Sequence, residues 1–557
     1  MKKNIKQILS IFLIMTFILT ACKSSDNDTT QNNTDNNENI SDEYSEINID
    51  WRNNKTNIID DKYRTFYEVF VYSFYDSDGD GIGDLQGVIE NLDYISDLGF
   101  NGIWLMPIMP STTYHKYDTK DYMAIDSDYG TMDDFDKLIA ECKKRGINVI
   151  IDLAMNHSSS QHPWFLEAVE YIKTLPEGAS LDPNKCKYVE YYNFTTEFHT
   201  GYTQIKDTEW YYESQFWSEM PDLNLENENV RKEFENIAKF WLDKGVSGFR
   251  LDAVKEFNSG DDKTNIEILT WFNNYIDTIS KDVYIVCECW MDRVAYSKYY
   301  ESGVDSMFDF SFGNSSGIIT KVVTGQSPAS FYGKNLVEAA TTYENYNPNY
   351  INAPFYTNHD LGRTAGYYAG ENSEAQTKIG NALNILMSGN VFVYYGEELG
   401  MKGAGKDENK RAPMYWSTNT NADGMCDGPP YMENVKMKFG SFEDQKDDAN
   451  SIYNYVKDAI LIRNQYPEIA RGVTTYYEEY SNDDICVISK KYNDKEILIV
   501  FNISANECEI NLDNLQIGGK NCSELSVLGT LLTSDKKIKQ DGNSFKMPSY
   551  SILIMGQ

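Results

Sequence analysis

Residues 248–254 read Gly-Phe-Arg-Leu-Asp-Ala-Val. A short, largely apolar run of this kind is strand-like, and side chains two apart on a strand share a face, so Arg250 and Asp252 point the same way. Similar apolar runs occupy Phe66 to Phe74, Gly102 to Met106, Val149 to Leu153, Tyr284 to Cys289, Ser306 to Phe310, Pro354 to Thr357 and Val391 to Tyr395. Eight such runs separated by amphipathic stretches predict a (β/α)8 TIM barrel, an α/β architecture whose chemistry lies at the C-terminal ends of the strands.

Those ends are polar here. The third run closes Asp152-Leu153-Ala154-Met155-Asn156-His157, the fifth Val286-Cys287-Glu288-Cys289-Trp290, and the seventh Thr357-Asn358-His359-Asp360. Glu288 points away from Cys287 and Cys289, so three carboxylates converge with one arginine and two histidines. A guanidinium beside Asp252 favours its ionised form, whereas apolar and thiol neighbours favour a protonated Glu288. One ionised and one protonated carboxyl is the division of labour of a retaining glycosidase, nucleophile and acid/base. Taken singly, each residue has an ordinary structural explanation, such as a helix cap or a buried polar group.

About ninety residues separate the third run from the fourth, too many for one helix and two loops, which predicts an inserted small domain over 157–224. After the amphipathic segment Ser451 to Gln465 the texture changes to short alternating runs, a C-terminal antiparallel β-sandwich domain over 467–557. The barrel then comprises 51–156 and 225–466.

The first residues carry Lys2, Lys3 and Lys6, then an apolar run from Ile8 to Leu19 and Leu-Thr-Ala-Cys. That run is too short to span a bilayer and reads as a secretory signal over 1–22. Its end resembles a bacterial lipobox, implying an exported lipoprotein held at the membrane through a lipid on Cys22. Residues 23–50 are mostly Asn, Asp, Ser, Thr and Glu, a composition expected to remain a disordered tether. A net charge of −35 excludes phosphate-directed binding to nucleic acid, and the lipid is the only membrane contact expected. The other eight cysteines lack CxxC spacing, so no zinc site is expected. A monomer is expected.

Residues 76–85 read DSDGDGIGDL. Counting from Asp76, aspartates stand at positions one, three, five and nine, Gly81 at six and Ile82 at seven, as in the first nine positions of an EF-hand loop. Position twelve is Gly87 rather than glutamate, and flanking helices are missing. One Ca²⁺ could still be held by Asp76, Asp78, Asp80, the Ile82 carbonyl and Asp84; the alternative is a solvated acidic turn.

In order and spacing, these blocks resemble those of glycoside hydrolase family 13, the α-amylase family, over essentially the whole chain from about residue 60. Met220-Pro221-Asp222-Leu223-Asn224 resembles a further family block, that of the intermediate group, and Tyr117-Asp118 resembles the tyrosine that stacks on the sugar at the cleavage point. The resemblance implies that Asp252 is the nucleophile, Glu288 the general acid/base and Asp360 the carboxylate gripping the sugar, with Tyr117, His157, Arg250, His359 and Arg363 as substrate contacts. It supports calcium in the acidic loop. A second family calcium site would use Asn156 and Asp222, but Glu256 stands where a histidine is usual, and no second site is assigned.

Ala253 replaces the valine, and Met220 the glutamine, typical of members specialised for α-1,6 bonds. The resemblance therefore implies an endo-acting α-amylase on starch, maltodextrins and related α-glucans. The alternatives are an oligosaccharide-trimming α-glucosidase or neopullulanase-like or transglycosylating enzyme of the family, and, from another class, a non-catalytic glucan-binding lipoprotein.

Overall fold

The computed structural model describes residues 44–557. The signal segment, Cys22 and the tether up to residue 43 lie outside the described residues.

Seven parallel strands form the central sheet. They are Thr65–Val69, Gly102–Leu105, Asn148–Leu153, Gly248–Leu251, Tyr284–Cys287, Ser306–Met307 and Val391–Tyr394, the last pairing back onto the first. Between the sixth and the last, single bridges join Ala353 to Phe308 and Phe355 to Phe392, so the chain at 353–355 closes the circle as the seventh member. The architecture is a (β/α)8 barrel, with helices such as Met132–Lys144, Glu228–Asp243 and Asp262–Ile279 between successive strands.

Period-two alternation fills the barrel. Phe66, Trp104, Ile150, Tyr284, Val286, Phe308, Phe355 and Phe392 pack together as an apolar plug. Two residues beyond the plug on the first and third strands the same face carries Glu68 and Asp152, and Arg250 stands in register with Asp152 on the fourth. The boundary between plug and charge is therefore written in the strand sequences.

Several strands are shorter than expected, the fifth and sixth ending at Cys287 and Met307, and two of the early ends shape the site. The first stops at Val69 and turns into a 3-10 segment at Val71–Ser73. The fourth stops at Leu251, because Ala253 is left-handed with φ 47°. That turn points its amide at Glu288, as described below.

Between the third and fourth strands lie the helix Pro163–Lys173 and a three-stranded sheet of Phe194–Thr195, Tyr211–Glu213 and Tyr202–Gln204. Bridges from His157 to Asp222 and from Tyr192 to Leu223 return this insertion to the end of the third strand. At the C-terminus a five-stranded antiparallel sheet (Val473–Tyr476, Ile485–Tyr492, Lys495–Asn502, Ser551–Gly556, Ser526–Leu532) faces a four-stranded one. Ile485, Val487, Leu498, Val500, Phe545, Met547, Leu553 and Met555 form the layer between them.

The four-stranded sheet corrects the expected end of the tether. Ser45–Glu46 pairs antiparallel with Lys539 and Gln540 at the sheet edge, and Ile47 packs on the sandwich core. An open edge offers backbone partners that composition alone does not reveal.

Candidate active site

The site sits where the barrel strands end and is organised around Arg250, whose side chain is fully buried. Its Nη1 donates to Asp152 Oδ1 and Oδ2 at 2.9 and 3.0 Å and to Asp252 Oδ1, while Nη2 stands 3.9 Å from Glu288 Oε2. The guanidinium lies 5.2 Å from the centroid of the Trp104 ring. A cation taken this far out of water requires paired carboxylates. Those carboxylates divide by exposure. Asp152 is as buried as Arg250, whereas the side chains of Asp252, Glu288 and Asp360 are 14%, 10% and 30% exposed and open to the cleft.

Glu288 follows the fifth strand and accepts the Ala253 amide through Oε2 at 2.8 Å. A left-handed alanine is strained by about 1–3 kcal/mol, and here the strain aims that amide at the carboxyl. Burial pushes Glu288 up to about 7; Arg250 opposes the shift, and Asp252 and Asp360 add to it.

Asp360 behaves in the opposite way. Burial would raise it, but His359 Nε2 at 3.0 Å and Arg411 Nη2 at 2.8 Å hold it far below the usual carboxylate range, with Arg250 adding. His359 is in turn bound to Glu68 Oε1 through Nδ1 at 2.7 Å. Tyr117 lies 5.7 Å from His359 ring to ring, nearly parallel, and its hydroxyl lies 2.8 Å from His359 Nε2 and 3.0 Å from Asp152 Oδ2. The loop carrying Tyr117 is pinned by Asp118, which accepts from Ser111, Thr112 and Thr113. His157, at the base of the insertion, is buried under Phe216, and its Nε2 has no protein partner. Burial lowers its pKa, so a neutral ring is left to meet a ligand. Arg250 Nη2 is likewise without a hydrogen-bond partner.

Arg363 corrects the sequence reading, because the structure does not bring it to the cleft. It is wholly buried, its guanidinium 4.3 and 4.7 Å from the Tyr394 and Tyr395 ring centroids, and its Nε donates to the Lys410 carbonyl at 3.1 Å. Arg411 reaches Asp360 instead. Sequence gave no sign of Arg411, which lies in the excursion after the last strand, or of Glu68, which is one charge inside an apolar run.

Among the described residues, the acidic loop brings Asp76, Asp78 and Asp84 together, with carboxylate oxygens within 4.8 Å of one another. Asp80 stands outside that group, and its Oδ1 accepts the Ile82 amide at 2.8 Å. Asp76 also accepts from Gly79 and Gly81, and Asp84 caps the helix Leu85–Glu90 through the Gly87 amide. Asp427, absent from the sequence reading, closes on the loop by donating its amide to the Gly81 carbonyl at 2.8 Å. Asp222 is occupied by Asn156 at 3.0 Å and the Gln215 amide at 2.9 Å, and burial raises it to about 8.

Residues 68–472 match the profile of the α-amylase catalytic domain. The chain belongs to the α-amylase family. It is 36% identical to Alpha-amylase 3 of Dictyoglomus thermophilum over 81% of this chain and 86% of that protein. It is 29% identical to the glucan 1,6-alpha-glucosidase of Streptococcus pneumoniae over 80% of this chain and 92% of that protein. The solved structure of Eubacterium rectale Amy13B superposes with a TM-score of 0.88 at 49% identity, covering 90% of this chain and 97% of that one. As a member of the α-amylase family, the chain is a glycoside hydrolase.

The two arginines can be told apart by experiment. Removing the charge-assisted bond in Arg411→Met should lower kcat/KM on maltoheptaose about ten- to hundredfold with a small change in Tm. Arg363→Met should chiefly lower Tm. The reverse pattern would return Arg363 to the site.

Proposed function

We propose that the protein is an endo-acting α-amylase that hydrolyses α-1,4-glucosidic bonds of starch and maltodextrins by double displacement with retention. The observation that carries this is the layering at the strand ends. Three partly exposed carboxylates open to the cleft over a fully buried Arg250, Asp152 and His359, beside His157 Nε2 and the Nε and Nη2 of Arg250, which no protein atom satisfies. Asp252, charge-paired with Arg250, attacks the anomeric carbon. Glu288, protonated because burial disfavours its anion, delivers its proton to the departing glycosidic oxygen and then takes one from the incoming water. Asp360, kept ionised by His359 and Arg411, accepts sugar hydroxyls and faces the positive charge that develops on the ring. His157 offers its unpaired ring nitrogen toward the same sugar, and Arg250 acts from beneath by holding Asp252.

For the bond cleaved, Ala253 and Met220 favour α-1,4, although relatives such as the Streptococcus enzyme are named for α-1,6 linkages. The product profile over time on amylose, pullulan and maltoheptaose tests this. Mixed maltooligosaccharides released early from amylose are expected, whereas glucose from maltoheptaose with amylose untouched would mean an oligosaccharide-trimming enzyme. Asp252→Asn should lose on the order of a thousandfold or more in kcat, and near-normal turnover would remove Asp252 as the nucleophile, whereas no new reducing ends from the unmodified protein would favour the glucan-binding alternative.

The pH profile follows from Glu288. Its working form is the acid, present below about 7 and lost as pH rises, so log kcat/KM should fall with unit slope on the alkaline side. An alkaline limb near the ordinary carboxylate value would contradict the assignment.

The carboxylates of Asp76, Asp78 and Asp84 suit a hard cation, and we propose that they hold a structural Ca²⁺. When bound, the ion offsets their mutual repulsion and fixes the loop after the first strand. Chelation should then lower the Tm of the native chain and leave an Asp76→Asn, Asp84→Asn variant unaffected. Identical melting curves with EDTA and with added calcium would show that the amide bonds alone hold the loop.

A further inference from the structure

Glu68 occupies the last inward position of the first strand, two residues above Phe66 in the plug. Its side chain is 1% exposed and Oε2 has no partner. Nothing in the chemistry above uses it, and an isolated carboxylate there is costly.

The hydrogen bonds around His359 give it a role. Asp152 takes both oxygens to Arg250 and so acts as an acceptor. The Tyr117 hydroxyl donates to Asp152 Oδ2 at 3.0 Å and, with its one proton so used, accepts from Arg250 Nη1 at 3.3 Å and from His359 Nε2 at 2.8 Å. That nitrogen also lies 3.0 Å from Asp360 Oδ2, while Nδ1 lies 2.7 Å from Glu68 Oε1. Each ring nitrogen thus faces a carboxylate, and a neutral imidazole has only one N–H to give.

We propose that Glu68 is a positioning residue for the reaction: it keeps His359 doubly protonated, and the imidazolium, together with Arg250, directs the Tyr117 hydroxyl to Asp152 and keeps Asp360 ionised. The proposal rests on the reading of the site given above. Burial works against a charge on His359, but Asp360 and Glu68 raise it to about 9. Burial likewise raises Glu68, and His359 is the main opposing influence, so the two charges sustain each other. Arg250 and Arg411 face the same cluster from the fourth strand and from the excursion after the last strand, where they pair with Asp152 and Asp360. The cation is complete below the ordinary histidine pKa and is lost as pH rises through about 9.

Nitrogen-15 spectra of the histidine-labelled protein test this, with His359→Asn assigning the signal among five histidines. The expected result is an imidazolium at about pH 8, where an ordinary histidine is neutral. Glu68→Gln should move the His359 midpoint down by about one unit or more and lower kcat/KM on maltoheptaose about tenfold. A neutral His359 in the unmodified protein at that pH would overturn the proposal without recourse to any variant, as would a titration that Glu68→Gln leaves in place. Full activity in Asp252→Asn, read separately, would remove the functional reading beneath it.

Discussion

A guanidinium buried at the top of a barrel core is the constraint on which the rest of this structure depends. Arg250 cannot sit above Phe66, Trp104 and Phe308 unless carboxylates surround it. Asp152 meets it from the third strand, Asp252 from the end of its own, and Glu288 from the fifth. One carboxylate, buried on every side, serves the arginine. The other two are partly open and keep the freedom to react.

The same arrangement separates the carboxyls of the cleft by proton affinity. Glu288 has a longer, less direct contact with Arg250 than Asp252 has, and burial dominates its proton affinity. Asp360 sits between His359 and Arg411, where two cations outweigh burial. Carboxyls within one cleft thereby occupy opposite ends of the titration range, which is what acid/base work by one group and charge stabilisation by another require.

Loops complete the site, and each is held by its own polar network. Asp118 gathers the hydroxyls of residues 111–113 and so fixes the segment that carries Tyr117. The acidic loop is held by the Asp76 and Asp84 amide bonds and by the Asp427 amide. Arg363 ties the end of the last strand to the Lys410 carbonyl, next to Arg411. A wholly buried arginine thus adjoins the arginine that meets Asp360.

Much was legible in the sequence because strand periodicity is local. Apolar runs that turn polar at their C-terminal ends gave the barrel, the facing of Arg250 and Asp252, and the three carboxylates of the cleft. The jump between the third and fourth strands was an equally local signal. What local pattern does not carry is which distant charge meets which. Glu68 looked like one polar residue in a strand until the closed sheet brought it against His359, far away in the chain. Arg363, close in sequence to Asp360, turned into the core, while Arg411 came back across a long loop to take the contact. Pairing of this kind depends on where the barrel and its loops place each charge, and only the tertiary structure decided it.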